Sequence, residues 1–119
     1  MDSTGKYINY YMGVLLQTND SILPSEKYFL KELKISDYFQ CYFHLARVAF
    51  EKNDKPAAAH YLETYLGRNP SDEQANNNLL LLYLDTNQKD KAKKQVERMT
   101  QLGLQVPNEV MQRLNAIGQ

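Results

Sequence analysis

Cys41 and His44 stand three residues apart, which on a helix would set a thiol beside an imidazole. That pair could supply two metal ligands, or a nucleophile and its base. A closed zinc site takes about four such ligands, and the chain has no second Cys/His pair, since Cys41 is its single cysteine and His60 stands alone among Ala and Tyr. A nucleophile–base pair needs a third group to orient the base, and none stands nearby in the sequence. A cysteine on such a helix is ordinarily a small buried apolar residue. Lys89, Lys91, Lys93, Lys94 and Arg98 form the only basic cluster, and Asp90 and Glu97 interleave it as on a solvated helix face. Binding of single-stranded nucleic acid would want aromatics beside those cations, but Tyr and Phe are concentrated upstream. Gly-rich phosphate loops, paired catalytic carboxylates and zinc-binding histidine motifs are absent from the sequence. The chain is therefore expected to have no catalytic residues, no metal, no cofactor and no nucleic-acid partner.

The 119 residues fit a single domain with one core. Lys plus Arg and Asp plus Glu both number 14, so no net field recruits phosphate backbones or anionic membranes. One cysteine excludes an internal disulfide and leaves the compartment unspecified. The apolar stretch from Tyr7 to Leu16 is too short to span a bilayer and is interrupted by Asn9 and Gly13, so direct membrane insertion is not expected. No secretory leader pattern opens the sequence.

Helical periodicity organises the rest. Ser36-Asp37 offers an N-cap for a helix from Tyr38 to Lys52, with Tyr42, Leu45, Ala46, Ala49 and Phe50 at helical spacing. Asn53-Asp54 ends it, both residues favouring turns. Pro56 fits the first turn of the next helix, which carries Ala58, Leu62, Tyr65 and Leu66 and stops between Gly67 and Pro70. Ser71-Asp72 caps a helix whose Leu79–Leu84 run is apolar almost all round and so expected to be buried on several sides. Thr86-Asn87-Gln88 turns into a Lys-rich helix with Ala92, Val96, Met99 and Leu102, closed by Gly103. Pro107 to Ile117 forms a last helix with Val110, Leu114 and Ile117 on one face.

These helices repeat. Tyr42, Leu45, Ala46, Ala49, Ala58 and Leu62, in a copy that closes on Pro70, correspond at a shift of 34 to Asn76, Leu79, Leu80 and Tyr83, then Ala92 and Val96. Upstream, Met12, Gly13, Leu16 and Phe29 match Leu45, Ala46, Ala49 and Leu62 at a shift of 33, whereas a shift of 34 would align Asn19 with Asn53 and Asn87. The shift of 33 explains both helices of the first unit and is preferred. This spacing resembles the tetratricopeptide repeat, with its W-x2-L-G-x2-Y, A-x3-F and P pattern. The resemblance covers nearly the whole chain: repeats at about 6–37, 39–72 and 73–106, and a capping helix at about 107–117. Asn9 departs from the family's aromatic and Asp37 from its proline. The implied fold is all-α, an α-solenoid of antiparallel helix pairs with about seven helices in a right-handed superhelix.

Family members bind peptide segments or helices in a concave groove and have no chemistry of their own. The resemblance carries that groove onto Tyr7, Tyr10, Val14 and Gln17 of the first repeat, and Gln40, Phe43, Arg47, Phe50 and Glu51 of the second. The third contributes Gln74, Asn77, Leu81, Leu84 and Asp85, with Met111 and Asn115 from the cap. An aromatic and aliphatic lining with one cation suits an apolar or aromatic segment or an amphipathic helix. It does not suit a chaperone's C-terminal carboxylate, because the fifth positions are Tyr10, Phe43 and Asn77 and the ninth are Val14, Arg47 and Leu81. The same aromatics could instead be core, and Arg47 could pair with Glu51 one turn later. Tyr7 to Leu16 is apolar all round, which suggests an array continuing upstream, a first helix docked on a neighbouring domain or subunit (a homodimer included), or a tilted first helix covered by its own partner helix. The two expectations are thus an interaction scaffold and a structural module of a larger protein.

Overall fold

The computed structural model describes residues 7–117, and of Ile117 the backbone alone. The chain is all-α: α1 (Ile8–Thr18), α2 (Ile22–Ile35), α3 (Gln40–Glu51), α4 (Lys55–Arg68), α5 (Glu73–Asp85), α6 (Lys89–Gln101) and α7 (Asn108–Ile117), with no strand among the described residues. Lys6, where the first repeat was expected to start, and the Ile117 side chain lie outside the described residues. Packing groups the helices into two units, α1–α4 up to Arg68 and α5–α7 from Asn69.

In the first unit, consecutive helices pack pairwise, α1 on α2, α2 on α3 and α3 on α4. Phe29, Cys41 and Leu45 are fully buried, with Tyr10, Val14, Leu33, Tyr38 and Tyr61 packed round them. Gly13 makes this closeness possible: a Cβ there would lie 2.6 Å from the Phe29 Cζ. Only hydrogen fits between α1 and that ring.

Three turns are built alike. Asp20, Asn53 and Asn87 all adopt left-handed backbone, with φ of 65°, 59° and 57°. After each, an N–H reaches back five residues, from Ser21 to Leu16, Asp54 to Ala49 and Gln88 to Tyr83, each at 2.8 Å. This is the Schellman closure, in which a residue tolerant of positive φ lets the last carbonyls of a helix find donors. The turn residues stand 33 and then 34 apart, the preferred register, and Asp20 rather than Asn19 is in phase. Gly103, with φ 77°, closes α6 in the same manner.

The junction between α2 and α3 departs from expectation. Ser36 does not cap α3. Its hydroxyl turns back to the Glu32 carboxylate at 2.5 Å, and Asp37 takes left-handed backbone with φ 52°. α3 then begins at Gln40 with no side-chain cap. Asp54, expected only as a turn residue, also accepts the Ala57 N–H at 3.2 Å and so caps the start of α4.

In the second unit Asp72 caps α5 as expected, accepting the Ala75 N–H at 3.0 Å. Leu79, Leu80, Leu82, Tyr83 and Leu84 are all buried, which accounts for the nearly continuous apolar run. Val110 and Leu114 of α7 are buried beside polar neighbours that stay exposed. Arg113 of α7 pairs with Asp85 of α5. Asn76 and Gln95 are buried as a bonded pair: the Gln95 amide donates to Asn76 Oδ1 at 2.8 Å, and the Asn76 amide donates to the carbonyls of Asp72 and Pro70. Among the described residues no helix is long and apolar enough to cross a membrane.

Candidate functional site

The Cys41–His44 pair lies on α3 with its side chains committed to packing. Cys41 is fully buried, and burial first, then the negative charge of Glu32, pushes its thiol up to about 12. A thiol so protonated is neither a nucleophile nor a ready metal ligand at neutral pH. His44 stacks on Phe29 at 5.0 Å with the rings 4° apart. Burial, and secondarily the charge of Arg47, lowers its pKa to about 4, so the ring is neutral at pH 7.

The partners of His44 fix its tautomer. The Gln17 amide nitrogen donates to Ser25 Oγ and to the His44 carbonyl, both at 3.1 Å, so Gln17 Oε1 is left to accept from His44 Nδ1–H at 2.9 Å. His44 Nε2 then accepts from the Tyr10 hydroxyl at 3.3 Å. Ser25 Oγ in turn donates to the Ile22 carbonyl at 2.5 Å. Every polar group in this chain has a partner, which makes it a buried structural network joining α1, α2 and α3. No group of three or more His, Cys, Asp or Glu side chains among the described residues is placed to hold a metal ion.

A second buried polar centre escaped the sequence analysis. Glu32 of α2 is fully buried, and its carboxylate accepts the N–H groups of Tyr7 at 3.1 Å and Tyr10 at 3.2 Å. It caps α1, whose own N-cap residue, Tyr7, sits at φ 68° with no side-chain cap. Burial by itself would raise the Glu32 pKa, but the bonds from Ser36 and the backbone of Tyr7, Tyr10 and Asn9 bring it below the usual value. Gln17 was expected at the groove and is instead buried in the His44 network.

The remaining groove residues divide sharply. On α1, Tyr10 and Val14 pack on the core, and Tyr7 rests on Tyr38 with ring centroids 4.5 Å apart. On α3, Gln40 is half-buried and Phe43 lies half-buried against Tyr65 at 5.3 Å. Arg47 and Phe50 are exposed, Phe50 at 42%, and Glu51 is exposed beside them. Among the described residues no ion pair joins Arg47 to Glu51 or to any other side chain. In the second unit Leu81 and Gln74 are exposed on α5, Met111 is half-buried and Asn115 exposed on α7, and Asp85 is held by Arg113. Leu84 is 2% exposed and drops out of the accessible set, because the apolar run of α5 buries it with Leu80 and Tyr83. Asn77 is half-buried, and its Oδ1 is enclosed without a hydrogen-bond partner among the described residues.

The apolar surface that the structure leaves open most conspicuously is on α1. Ile8, Tyr11, Met12 and Leu15 are between 40% and 65% exposed. Sequence pattern had marked the helix as apolar all round without separating these four from the core residues Tyr10, Gly13 and Val14. No family model matches the chain, and no curated protein matches its sequence.

Proposed function

We propose that this chain is a non-catalytic interaction module of tetratricopeptide-like repeats that holds an apolar or aromatic peptide segment or helix. The repeat assignment is supported by the three equivalent turns at Asp20, Asn53 and Asn87. The function rests on one observation above all. α3 presents Arg47 and Phe50 to solvent, three residues apart on one face with Phe43 a turn before, and Arg47 has no ion-pair partner among the described residues. An aromatic and a guanidinium side by side form the kind of anchor that dominates protein interfaces. The residues that could have done chemistry, Cys41 and His44, are occupied in packing instead.

A displayed peptide library selected on the full chain tests this. Enriched sequences should be rich in aromatic and aliphatic residues, and Arg47→Glu together with Phe50→Ser should weaken their binding at least tenfold, about 1.4 kcal/mol or more. Failure to enrich any sequence, or binding indifferent to both substitutions, would sink the proposal. The alternative, a structural module of a larger protein docked through α1, is favoured by the four exposed apolar residues of that helix.

A further inference from the structure

We infer that α1 is an acid-released latch: acid frees it as a unit from α2 and α3, while α2, α3 and α4 stay folded. Two hydrogen-bonded fasteners hold the helix from outside itself. At its start, the Glu32 carboxylate of α2 accepts the N–H groups of Tyr7 and Tyr10 at 3.1 and 3.2 Å. Further along, His44 of α3 accepts from the Tyr10 hydroxyl at 3.3 Å and donates to Gln17 at 2.9 Å. Gln17 in turn donates to Ser25 of α2 and to the His44 carbonyl. Both fasteners thus end on groups that titrate in acid. Outside them, the buried polar side chains among the described residues are Asn76 and Gln95, which do not titrate.

Acid weakens each fastener. Burial, then the charge of Arg47, holds the His44 pKa at about 4, so its contribution is complete above about pH 6.5 and is lost as pH falls toward 4. Protonation puts a hydrogen on Nε2 where the Tyr10 hydroxyl now donates, and it leaves a cation stacked on Phe29. The groups facing the ring offer that cation no counter-charge. α1 brings the Tyr10 hydroxyl and the Gln17 amide, α2 brings Phe29 and Ser25, and α3 itself brings Arg47, a charge of the same sign. Among the described residues no ion pair joins His44 to a carboxylate. At Glu32 burial raises the pKa, but the bonds from Ser36 and the backbone of Tyr7, Tyr10 and Asn9 bring it below the usual value. Its cap is therefore present above the ordinary carboxylate range and lost as pH falls through that lowered value. The α3 group that feels its charge is the Cys41 thiol, raised and so neutral in acid, and Lys31 and Lys34 of its own helix are exposed.

Topology lets α1 leave by itself. One face of the helix packs on α2, where Gly13 meets Phe29, and the opposite face, with Ile8, Tyr11, Met12 and Leu15, is exposed. α2 also packs on α3, and α3 on α4, and these contacts do not pass through α1. An element covered on one face only opens at lower free energy than the stack it leans on. Its departure takes Tyr10 and Val14 off the cluster they cover and bares Phe29, Cys41 and Leu45. The latch goes beyond the groove proposed on α3, and neither depends on the other.

Cys41, the single cysteine and buried, is a built-in reporter of release. A pyridyl disulfide, which still reacts with thiols in acid, is applied to the full chain from about pH 7 down to about pH 4. Each rate is divided by that of the urea-denatured chain at the same pH, which removes the reagent's own pH dependence. The ratio should rise on the order of tenfold by about pH 5, allowing for the part of the half-buried His44 ring that solvent reaches, and should rise further by about pH 4. Circular dichroism should meanwhile lose no more than the share of one helix in seven. The rate should also climb with low urea far less steeply than global unfolding does, because little surface opens. His44→Gln should remove the rise between about pH 7 and about pH 5. A ratio that stays constant over the whole range would overturn the inference. So would a rise that tracks loss of the entire helical signal or carries the urea dependence of global unfolding, and so would a His44→Gln protein as pH-dependent as the parent. The first two of these outcomes need no variant, so they decide the matter even where His44→Gln fails to fold.

Discussion

Gly13→Ala sets two effects of opposite sign against each other. In a helix interior, alanine is favoured over glycine by about 1 kcal/mol, so an unobstructed site would gain stability. The structure obstructs it: the new methyl would lie 2.6, 2.7 and 2.8 Å from the Phe29 Cζ, Cε2 and Cε1 atoms. Carbon atoms in ordinary contact keep about 3.5–4.0 Å, so the ring would have to withdraw by close to ~1 Å. It has nowhere to go, being fully buried, stacked on His44 at 5.0 Å and edge-on to Tyr10 at 5.9 Å. Overpacking of this kind costs about 1–3 kcal/mol. Three contacts below 3 Å against a ring with no room to withdraw place it in the upper part of that range, about 2–3 kcal/mol, which leaves a net loss of about 1–2 kcal/mol after the helical gain. Urea unfolding followed by circular dichroism at 222 nm measures it directly. The register supplies the rescue. At a shift of 33, Gly13 and Phe29 become Ala46 and Leu62, so Phe29→Leu should make room for the alanine methyl. Alone, Phe29→Leu should cost about 1 kcal/mol or more for the space it leaves. The double variant should be more stable than the sum of the two singles by about 1 kcal/mol or more. A Gly13→Ala protein as stable as the parent, or strictly additive singles, would refute the packing argument.

Four other outcomes follow from the buried polar groups and the turns. Folding holds the His44 pKa at about 4 against an ordinary 6.5, so its contribution is complete above about pH 6.5 and is lost as pH falls toward 4. By about pH 5 the loss should be about 2 kcal/mol in urea midpoints, and His44→Gln should flatten that part of the profile. Glu32→Gln keeps the size of the side chain but turns an amide toward the Tyr7 and Tyr10 N–H groups, and should cost about 1–3 kcal/mol by the same assay. Asn53→Ala, at φ 59°, should lose about 1 kcal/mol while Asn53→Gly is nearly neutral. Cys41 should resist thiol reagents in the folded protein and react fully in denaturant, because it is buried and its thiol is pushed up to about 12.

The helices and their boundaries were legible because local signals mark them: Asp72 before α5, Asn53 and Asn87 after α3 and α5, and Gly103 after α6. These residues act on backbone within a few positions of themselves. Ser36 misled because serine before a helical pattern ordinarily caps it, whereas here the nearest strong acceptor is the Glu32 carboxylate one turn back. Glu32 itself was invisible. It stands between Lys31 and Lys34 in a stretch that reads as solvated surface, and its burial depends on donors from Tyr7 and Tyr10. Gln17 was hidden in the same way, since its partners lie at Ser25 and His44. Of the expected groove, Arg47, Phe50 and Leu81 are accessible, while Tyr10, Val14 and Leu84 went to packing. Composition cannot separate these, because an aromatic or leucine at helical spacing serves either purpose equally well.

The Glu32 cap bears on the order in which the protein takes shape during synthesis. Eleven residues are too few for a stable helix in water, and α1 has no charge pairs and no capping side chain of its own. The acceptor for its first turn arrives 25 residues after Tyr7 and 22 after Tyr10. Until α2 has left the ribosome, α1 lacks both the acceptor for its first turn and the Phe29 ring on which Tyr10 and Val14 pack. Nucleation of this unit is thus a hairpin event, and a pause in translation between Thr18 and Glu32 would leave the apolar α1 segment without its α2 partner for as long as the pause lasted.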